Sequence, residues 1–482
     1  SGKITKTDIV VGQASDIVTL DPAGQQDTTS GVLMKHAYST LLDVDNEGKV
    51  VPDLAESYEM KSDTEYVFKL REDACFWDGT PVTAQDVKFS LDRAKGMPKT
   101  KSNTSKIEEV TVNGDHEVTI KLTEPYAAFK TIVTQHNLSI LSEKAVTEAG
   151  DSYGDVDNLL GSGPFKVTEW VPNDHYTLVR NDNYWGEMPI ATSITCRVIP
   201  EGSARTIALE AGEIDVVWSV DPTDCANVES NPDVKLLSQP STGIDYVGMN
   251  TQKEKFSDKR VRQAINYALD KQTFVDTIIE GRGLVANSYI NAAIPGWTDE
   301  VEAYPYDPEK AKELLAEAGY PDGFECSIFV NGDLRTRSAQ ILQAQLADVG
   351  IKVDISTYEW GALLDTLNAG EHEMFLLGWS NTSFDPDGST YQLFYSGNHG
   401  ATGNRAFFSN DKVDELILSA QRESEESKRM ELYKELQVVL HDESPWCPLY
   451  YKENNVGVRA DLKGFTLHAG AQHYLGNCHY EE

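Results

Sequence analysis

The hydrophobic pattern of this 482-residue chain changes near its middle. In the first half, apolar and polar residues alternate at strand spacing, as in 65–70 (EYVFKL) and 117–122 (EVTIKL). In the second half, helical patterns alternate with strands, and a helix predicted over 338–348 leads into a strand at 351–355. This alternation is typical of α/β folds. Since no repeat or Pro/Gly/Ser-rich linker divides the chain, the pattern favours two lobes joined by strands.

The composition excludes several classes of partner. Lys and Arg number 42 against 77 Asp and Glu, which gives a net charge of -35. Nucleic acid and anionic lipid need a basic surface, so neither is an expected partner. No apolar run approaches the roughly 18 residues of a spanning helix. The sequence starts without an initiator Met or an apolar signal segment, so we expect a mature or trimmed form.

The segment 68–94 (FKLREDACFWDGTPVTAQDVKFSLDRA) combines groups that suit either an active site or a scaffold. Asp78 begins the sequence DGTP, which is typical of a turn. Thr83 and Asp86 are spaced as a capping box that opens a helix. Trp77 is predicted to pack in the core. Because each polar residue has a turn or cap role, the segment is predicted to be scaffold.

Three helical predictions concern the second half. Ser257 is predicted to cap a helix with a buried face that includes Val261. Asp307 precedes a proline that opens another helix, which Gly319 ends. Long helices over 411–441 are predicted to break near Glu425.

Motifs of common enzyme classes are missing from the sequence. There is no GxxxxGK[ST], strand-borne GxGxxG or GxSxG, so nucleotide-binding and α/β-hydrolase signatures are absent. The stretch 43–48 (DVDNEG) resembles the start of a calcium loop, but position twelve is Leu54 instead of Glu, and a hairpin is predicted. No cofactor or metal is expected.

The C-terminal stretch HAGAQHYLGNCHY is the strongest metal alternative. It contains His468, His473, Cys478 and His479, but their spacing matches no familiar site. The six cysteines form no CxxC pair, and we expect free or partly paired thiols. A bond between Cys447 and Cys478 is an alternative to metal binding.

The loop 378–388 (GWSNTSFDPDG) follows an apolar strand and carries hydroxyls, an aromatic and two acids, Asp385 and Asp387. Loops at strand ends commonly hold ligands in α/β folds. The alternative is a structural loop capped by Asp-Pro. No neighbouring His base completes a hydrolytic pair.

Several long motifs resemble those of extracellular solute-binding proteins of family 5, the peptide/opine/nickel class. They are the segment 68–94 with PDLAESYEM (52–60) before it, GSGPFKVTEWVPNDHYTLVRNDNYWG (161–186), VRQAINYALDKQTFVDTIIEGRGLVA (261–286) and YPYDPEKAKELLAEAGYPDG (304–323). The resemblance covers nearly the whole chain and is greatest to the dipeptide/glutathione-binding branch. It implies an α/β, two-lobed periplasmic-binding-protein type II fold with an extra subdomain in lobe one, and no catalytic activity.

The resemblance also implies the lobe limits. Lobe one is expected over 1–252 with its extra subdomain at about 51–171, lobe two over 253–461, and 462–482 returns to lobe one.

The implied function is the extracytoplasmic substrate-binding component of an ABC importer. It binds short peptides, dipeptide, oligopeptide or glutathione-like, in a cleft between closing lobes. The alternative is an opine, a nickel chelate or another small polar solute. The implied partners are the permease and ATPase, and the protein is expected to be a monomer, either periplasmic or a cell-surface lipoprotein.

Site residues follow from the same resemblance. In related peptide binders an aspartate about three residues after GW holds the ligand ammonium, and Thr382 stands there, with Asp385 and Asp387 as replacements. Arg335 and Arg337 are candidates for the ligand carboxylate, with ordinary exposure as the alternative. The remaining candidates, for which core packing is the alternative reading of each aromatic, are Trp379, Ser380, Tyr358, Trp360, Asn404, Arg405, Asp245, Tyr246, Thr28 and Thr29.

Overall fold

The computed structural model describes residues 2–482, which divide into two compact units. The first unit comprises the chain up to Val220 together with Asp224–Leu237 and Asn455–Glu482. The second comprises Asp221–Thr223 and Ser238–Asn454. Two long strands, Val234–Met249 and Trp446–Arg459, each contribute residues to both units. Each unit mixes helices with a sheet, so the predicted α/β class is confirmed.

The main sheet of the first unit is mixed. Its strands run in the order Val216–Val217, Asp8–Gln13, Ser193–Val198, His175–Arg180 and Phe165–Val171. Asp8–Gln13 is parallel to both of its neighbours, whereas the last two strands form an antiparallel pair. Val458, from the end of the last long strand, pairs with Val216.

A second, four-stranded antiparallel sheet lies in the same unit. Its order is Ala55–Ser62, Glu65–Leu70, Glu117–Leu122 and Ile107–Val112. Alternation in Glu65–Leu70 buries every second side chain, as the sequence predicts, and these side chains pack under the helix Ala84–Lys95.

The segment 68–94 is scaffold in this sheet and helix. Asp78 Oδ1 accepts the Thr80 amide at 2.9 Å, which closes the predicted turn. Thr83 and Asp86 form the predicted capping box. Trp77 is 8% exposed and packs near Tyr38 with a ring separation of 6.0 Å. The turn, cap and packing predictions are confirmed.

The acidic stretch 43–48 forms a hairpin instead of a calcium loop. Strands Leu42–Val44 and Val50–Pro52 pair antiparallel. Asp45 Oδ1 accepts the backbone amides of Glu47 and Lys49, and Gly48 adopts a positive φ of 90°. The carboxylate therefore serves the turn, as predicted.

The sheet of the second unit begins with three parallel strands. Ile351–Thr357, Phe324–Val330 and Met374–Ser380 lie side by side, and Met374–Ser380 pairs antiparallel with the second-unit part of Val234–Met249. The second-unit part of Trp446–Arg459 follows, and Gly283–Val285 pairs with it. Helices cover apolar strands that are buried almost throughout.

Two helix starts differ from prediction. Asp258 caps the helix Lys259–Ala268 by accepting the Arg260 amide at 2.9 Å, so the assignment of that cap to Ser257 is wrong. Ser257 instead ends the short helix Glu254–Ser257.

The helix predicted to begin at 338 begins earlier, as Asp333–Ala347. Leu334 is the single apolar residue among the first five, so apolar periodicity does not reveal this start. Gly332, with a φ of 84°, turns the chain, and its carbonyl accepts the Thr336 amide.

The other helical predictions of this half are confirmed. Asp307 accepts the Lys310 amide at the start of Pro308–Glu317, and Gly319 follows that helix with a φ of 96°. The predicted break near 425 separates Asp411–Arg422 from Glu426–Glu443.

The remaining elements are short or peripheral. The strands are Ile4–Lys6 and Tyr480–Glu481, which pair with each other; the helices are Thr28–Ala37, Lys101–Thr104, Phe129–Ile132, Glu143–Ala149, Gly202–Glu210, Cys225–Ser230, Lys271–Thr277, Trp360–Asn368 and Tyr391–Phe394; and the 3₁₀ turns are Pro22–Gly24, His136–Leu138, Gly150–Ser152, Val156–Asn158, Pro222–Asp224, Pro386–Ser389, Ser396–Asn398 and Gly400–Thr402. Across residues 2–482, every helix is too short or too polar to traverse a lipid bilayer.

No disulfide joins the cysteines within residues 2–482. Cys447 is buried in the core of the second unit and Cys478 in the core of the first. The alternative of a bond between them is therefore wrong.

The first unit contains a group of buried histidines, namely His36, His136, His468 and His473. His36 Nε2 accepts the Leu475 amide, His468 Nδ1 accepts the Gly470 amide, and His473 Nδ1 accepts the His468 amide. A ring nitrogen that accepts a backbone amide carries no proton, so these three rings are neutral. Burial lowers the pKa of all four, His36 to about 3, His136 to about 4, His468 to about 2 and His473 to about 3, and the nearby Lys35 adds to this effect.

This group predicts destabilisation in mild acid. The unfolded chain binds protons on these histidines below about pH 6.5, whereas the folded chain stays unprotonated down to about pH 4. The free energy of unfolding therefore falls as the pH falls from 6.5 to 4, by up to about 1.4 kcal/mol per pH unit for each histidine. Urea unfolding at pH 7, 6 and 5 measures the slope.

His468→Asn is the control, because its Oδ1 can take over as acceptor for the Gly470 amide without titrating. It should reduce the slope by about one histidine's share. A stability that is flat between pH 7 and 5 would contradict the assignment.

Candidate functional site

Polar side chains of the second unit converge near the ends of two paired strands. Asp245 lies opposite Gly378 across the antiparallel pair formed by Val234–Met249 and Met374–Ser380. Successive strand residues face opposite sides of the sheet, so Asp245 and Tyr246 diverge. Tyr246 enters the core, where its ring stacks on Trp446 at 3.4 Å. Asp245 instead faces the first turn of the helix Asp333–Ala347.

Asp245 is the centre of a charged group. Its carboxylate accepts Arg335 Nε at 3.1 Å and Arg335 Nη2 at 3.3 Å. Lys452 Nζ lies 3.2 Å from Asp245 Oδ1, and the Tyr450 hydroxyl donates to Oδ2 at 3.2 Å. Asp245 is 1% exposed, so the contacts are shielded from water.

The two cations keep this buried acid ionised. Burial by itself raises the pKa of Asp245, but the charges of Arg335 and Lys452 outweigh it and lower the pKa to about 2. A buried carboxylate without such partners would take up a proton instead. Burial likewise lowers the pKa of Arg335, and the Asp245 charge reverses this, so the net shift is upward.

Gly378 makes room for this group. A Cβ at that position would lie 2.3 Å from Arg335 Nη2 and 2.8 Å from Asp245 Oδ1. The absence of a side chain at residue 378 therefore leaves the space that the ion pair of Arg335 and Asp245 occupies.

Arg337 forms a separate pair. Its Nη2 lies 2.7 Å from Asp221 Oδ2, and the Asp221 carboxylate also accepts the Thr223 amide. Burial raises the pKa of Asp221, but these hydrogen bonds and the Arg337 charge lower it overall.

Asn381 organises the loop that follows Met374–Ser380. Its Oδ1 accepts the amides of Ser383 and Phe384 and the Ser383 hydroxyl. Its Nδ2 donates to the Asp385 carbonyl and to the Ser389 hydroxyl, both at 2.7 Å. The loop is thus built around one buried amide, and Phe384 adopts a left-handed φ of 59° within it.

Both acids of this loop are engaged inside the unit. Asp385 forms a two-pronged ion pair with Arg429, at 3.0 and 2.6 Å, and also accepts the Asp387 amide. Asp387 Oδ1 accepts Gln421 Nε2 at 2.9 Å. Both side chains are buried, and these contacts give the acids a role in holding the loop to the helices that follow.

The other predicted residues are placed as follows. Trp379 donates its indole N–H to the Gly388 carbonyl at 2.9 Å, and Tyr358 packs on Phe329. Asn404 donates to the carbonyls of Tyr395 and Phe408, and Arg405 donates to Asn368. Trp360 begins a helix, Ser380 and Thr382 are half-buried, and Thr28 and Thr29 begin a helix in the first unit. All but Thr28 and Thr29 lie in the second unit. Contact with a ligand stays a prediction for each of them.

Sequence reasoning missed Lys452, Tyr450, Asn381 and Arg429. Lys452 contacts Asp245, which lies 207 positions earlier in the chain. Nothing in the local pattern indicates such a contact. Asn381 does leave a signal, because Asn-x-Ser favours the turn it forms.

The C-terminal histidines do not form a metal site. Among residues 2–482, no cluster of three His, Cys, Asp or Glu side chains is arranged to hold a metal ion. The Nδ1 atoms of His468 and His473 are used as acceptors for backbone amides, and His479 contacts the Asn477 carbonyl and Glu481.

The Asp385–Arg429 pair predicts a large effect on stability. Arg429→Met leaves a buried carboxylate without its cation and should lower the free energy of unfolding by about 3–5 kcal/mol. Lys434→Met is the control, because Lys434 pairs with Glu431 on the surface of the same helix and such pairs contribute about 1 kcal/mol or less. Denaturant unfolding measures both, and equal losses would show that the buried pair has no special role.

Comparison with known proteins places this arrangement in a family. Residues 49–401 match the family model of bacterial extracellular solute-binding proteins, family 5. The glutathione-binding protein GsiB of Shigella boydii serotype 4 is 32% identical, over 95% of this chain and 92% of that protein. The dipeptide-binding protein of Escherichia coli K12 is 30% identical, over 90% of this chain and 86% of that protein.

A solved structure agrees with the fold. The periplasmic binding protein DppA of Helicobacter pylori, in complex with the peptide STSA, superimposes with a TM-score of 0.93 at 28% identity and covers 98% of each chain. The predicted two-lobed, type II periplasmic-binding fold is confirmed. The chain belongs to the bacterial extracellular solute-binding proteins of family 5.

Proposed function

We propose that the protein is the substrate-binding component of an ABC importer and that its ligands are short peptides. The observation that carries this proposal is the match, over at least nine-tenths of the chain, to relatives named for glutathione and dipeptide binding. The neighbouring structure with a bound peptide adds support. These relatives favour a peptide over an opine or a nickel chelate.

The second unit supplies the groups that such a ligand requires. Arg335 lies in the first turn of the helix Asp333–Ala347, where the buried carboxylate of Asp245 positions its guanidinium, and 19% of its side chain is exposed. We assign the ligand carboxylate to this group, since guanidinium and carboxylate form strong charge-assisted bonds. Arg337 is a weaker candidate because Asp221 neutralises it.

In this proposal, the ligand ammonium donates hydrogen bonds to the hydroxyls of Thr382 and Ser380. Thr382 and Ser380 are half-buried, whereas Asp385 and Asp387 are buried and engaged by Arg429 and Gln421. The acids then act on the ligand only through the shape of the loop. The aromatic candidates Trp379, Tyr358 and Trp360 belong to the same proposal as apolar contacts.

Further parts of the proposal follow from the family. The protein acts without catalysis, as a monomer outside the cytoplasmic membrane, in the periplasm or as a lipid-anchored protein. A permease and its ATPase receive the ligand. The family resemblance gives lobes over 1–252 with 462–482, and over 253–461. The compact units change instead at Ser238 and Asn455, which places Asp245 in the second unit.

Ligand-dependent thermal stability tests the function. A ligand that binds only the folded chain adds about 2.7 kcal/mol at a hundred times its Kd. The melting temperature should then rise by a couple of degrees or more with dipeptides, tripeptides or glutathione.

An opine and nickel–histidine are the matched comparisons in the same panel. A shift with either one, and with no peptide, would contradict peptide binding. Native mass spectrometry of the purified protein shows whether a ligand is already bound, and a co-purified peptide would support the proposal.

A further inference from the structure

We propose that the group formed by Asp245, Arg335 and Lys452 selects peptides with an acidic side chain, and that Lys452 is the residue that determines this selection. This inference rests on the proposed function and names the class of peptide. Lys452 lies in the long strand Trp446–Arg459, outside every motif that indicates a site in the sequence.

The charges of this group do not balance. Asp245 supplies one negative charge, and Arg335 and Lys452 supply two positive charges within 3.3 Å of its oxygens. Within residues 2–482, neither cation forms an ion pair with a second acid. The Tyr450 hydroxyl donates a further hydrogen bond to the Asp245 carboxylate but adds no charge. One positive charge is therefore left for a ligand.

Two other arginine pairs of the second unit lack this excess. Arg337 has one acid, Asp221, at 2.7 Å. Arg429 has two, Asp385 and Glu426. The imbalance at Asp245 is thus a local property and not a general feature of a chain in which acids outnumber bases, 77 to 42.

Both cations are accessible to a small molecule yet partly shielded. The side chain of Arg335 is 19% exposed and that of Lys452 is 32% exposed. Attraction between charges is stronger there than on an open surface, because the surroundings screen it less. Glycines on the two strands leave space for the cations, since a Cβ at Gly243 would lie 3.1 Å from Lys452 Cε.

A neutral dipeptide does not use this excess fully. The charges of its carboxylate and ammonium cancel, so its net charge is zero. The acids that would attract the ammonium, Asp385 and Asp387, are already engaged by Arg429 and Gln421. A ligand with one additional carboxylate, such as a glutamyl peptide, carries a net negative charge. Arg335 can then meet one carboxylate and Lys452 the other.

Calorimetry with Ala-Glu and Ala-Gln tests the inference, because the two peptides have nearly the same shape and differ by one charge. The unaltered protein should bind Ala-Glu about tenfold or more tighter, as expected for one charge-assisted contact. Lys452→Met should remove most of this preference by weakening Ala-Glu alone. Lys452→Arg should retain the preference.

Lys255→Met is the matched control, because Lys255 forms a similar ion pair with Glu373 at 3.1 Å and is 36% exposed. It should leave both affinities unchanged. Equal binding of the two peptides by the unaltered protein would overturn the inference and leave peptide binding intact. Equal weakening of both by Lys452→Met, at an unchanged melting temperature, would also overturn it. Failure to bind either peptide, or glutathione, would instead count against the proposed function.

Discussion

The buried carboxylate of Asp245 is the interaction on which the proposed site depends. A carboxylate that is 1% exposed stays ionised only with compensating charge, and Arg335 and Lys452 provide it. The same contacts fix the two cations, which reach Asp245 from a helix and from a different strand. One buried acid thus positions two cations, and in the proposed site the second cation meets a ligand carboxylate.

The surrounding backbone serves this arrangement. Register places Gly378 opposite Asp245, where a side chain would displace Arg335. The strand that contains Gly378 continues into the loop organised by Asn381, and Asp385 ties that loop to Arg429. The acids that look most like ligand contacts in the sequence therefore stabilise the loop. In the proposed mode of binding, selectivity for charge comes from the group at Asp245 and not from the loop acids.

Local rules predicted much of the fold from the sequence. The turn at Asp78, the box at Thr83 and the break near Glu425 depend on residues a few positions apart, and each is confirmed. The start of the helix at Asp333 was missed because Leu334 is the single apolar residue among its first five. The site was predicted less completely. Family resemblance makes Arg335 and Asp245 separate candidates, but they and Lys452 are distant in the chain, and no pattern in the sequence shows that the three meet.

A crystal structure with bound Ala-Glu tests the central claim most directly. The account predicts a ligand carboxylate oxygen within about 3.5 Å of Lys452 Nζ and the second carboxylate at Arg335, with both cations still in contact with Asp245. A glutamyl carboxylate that lies away from both cations, with the Asp245 group facing no ligand atom, would contradict it.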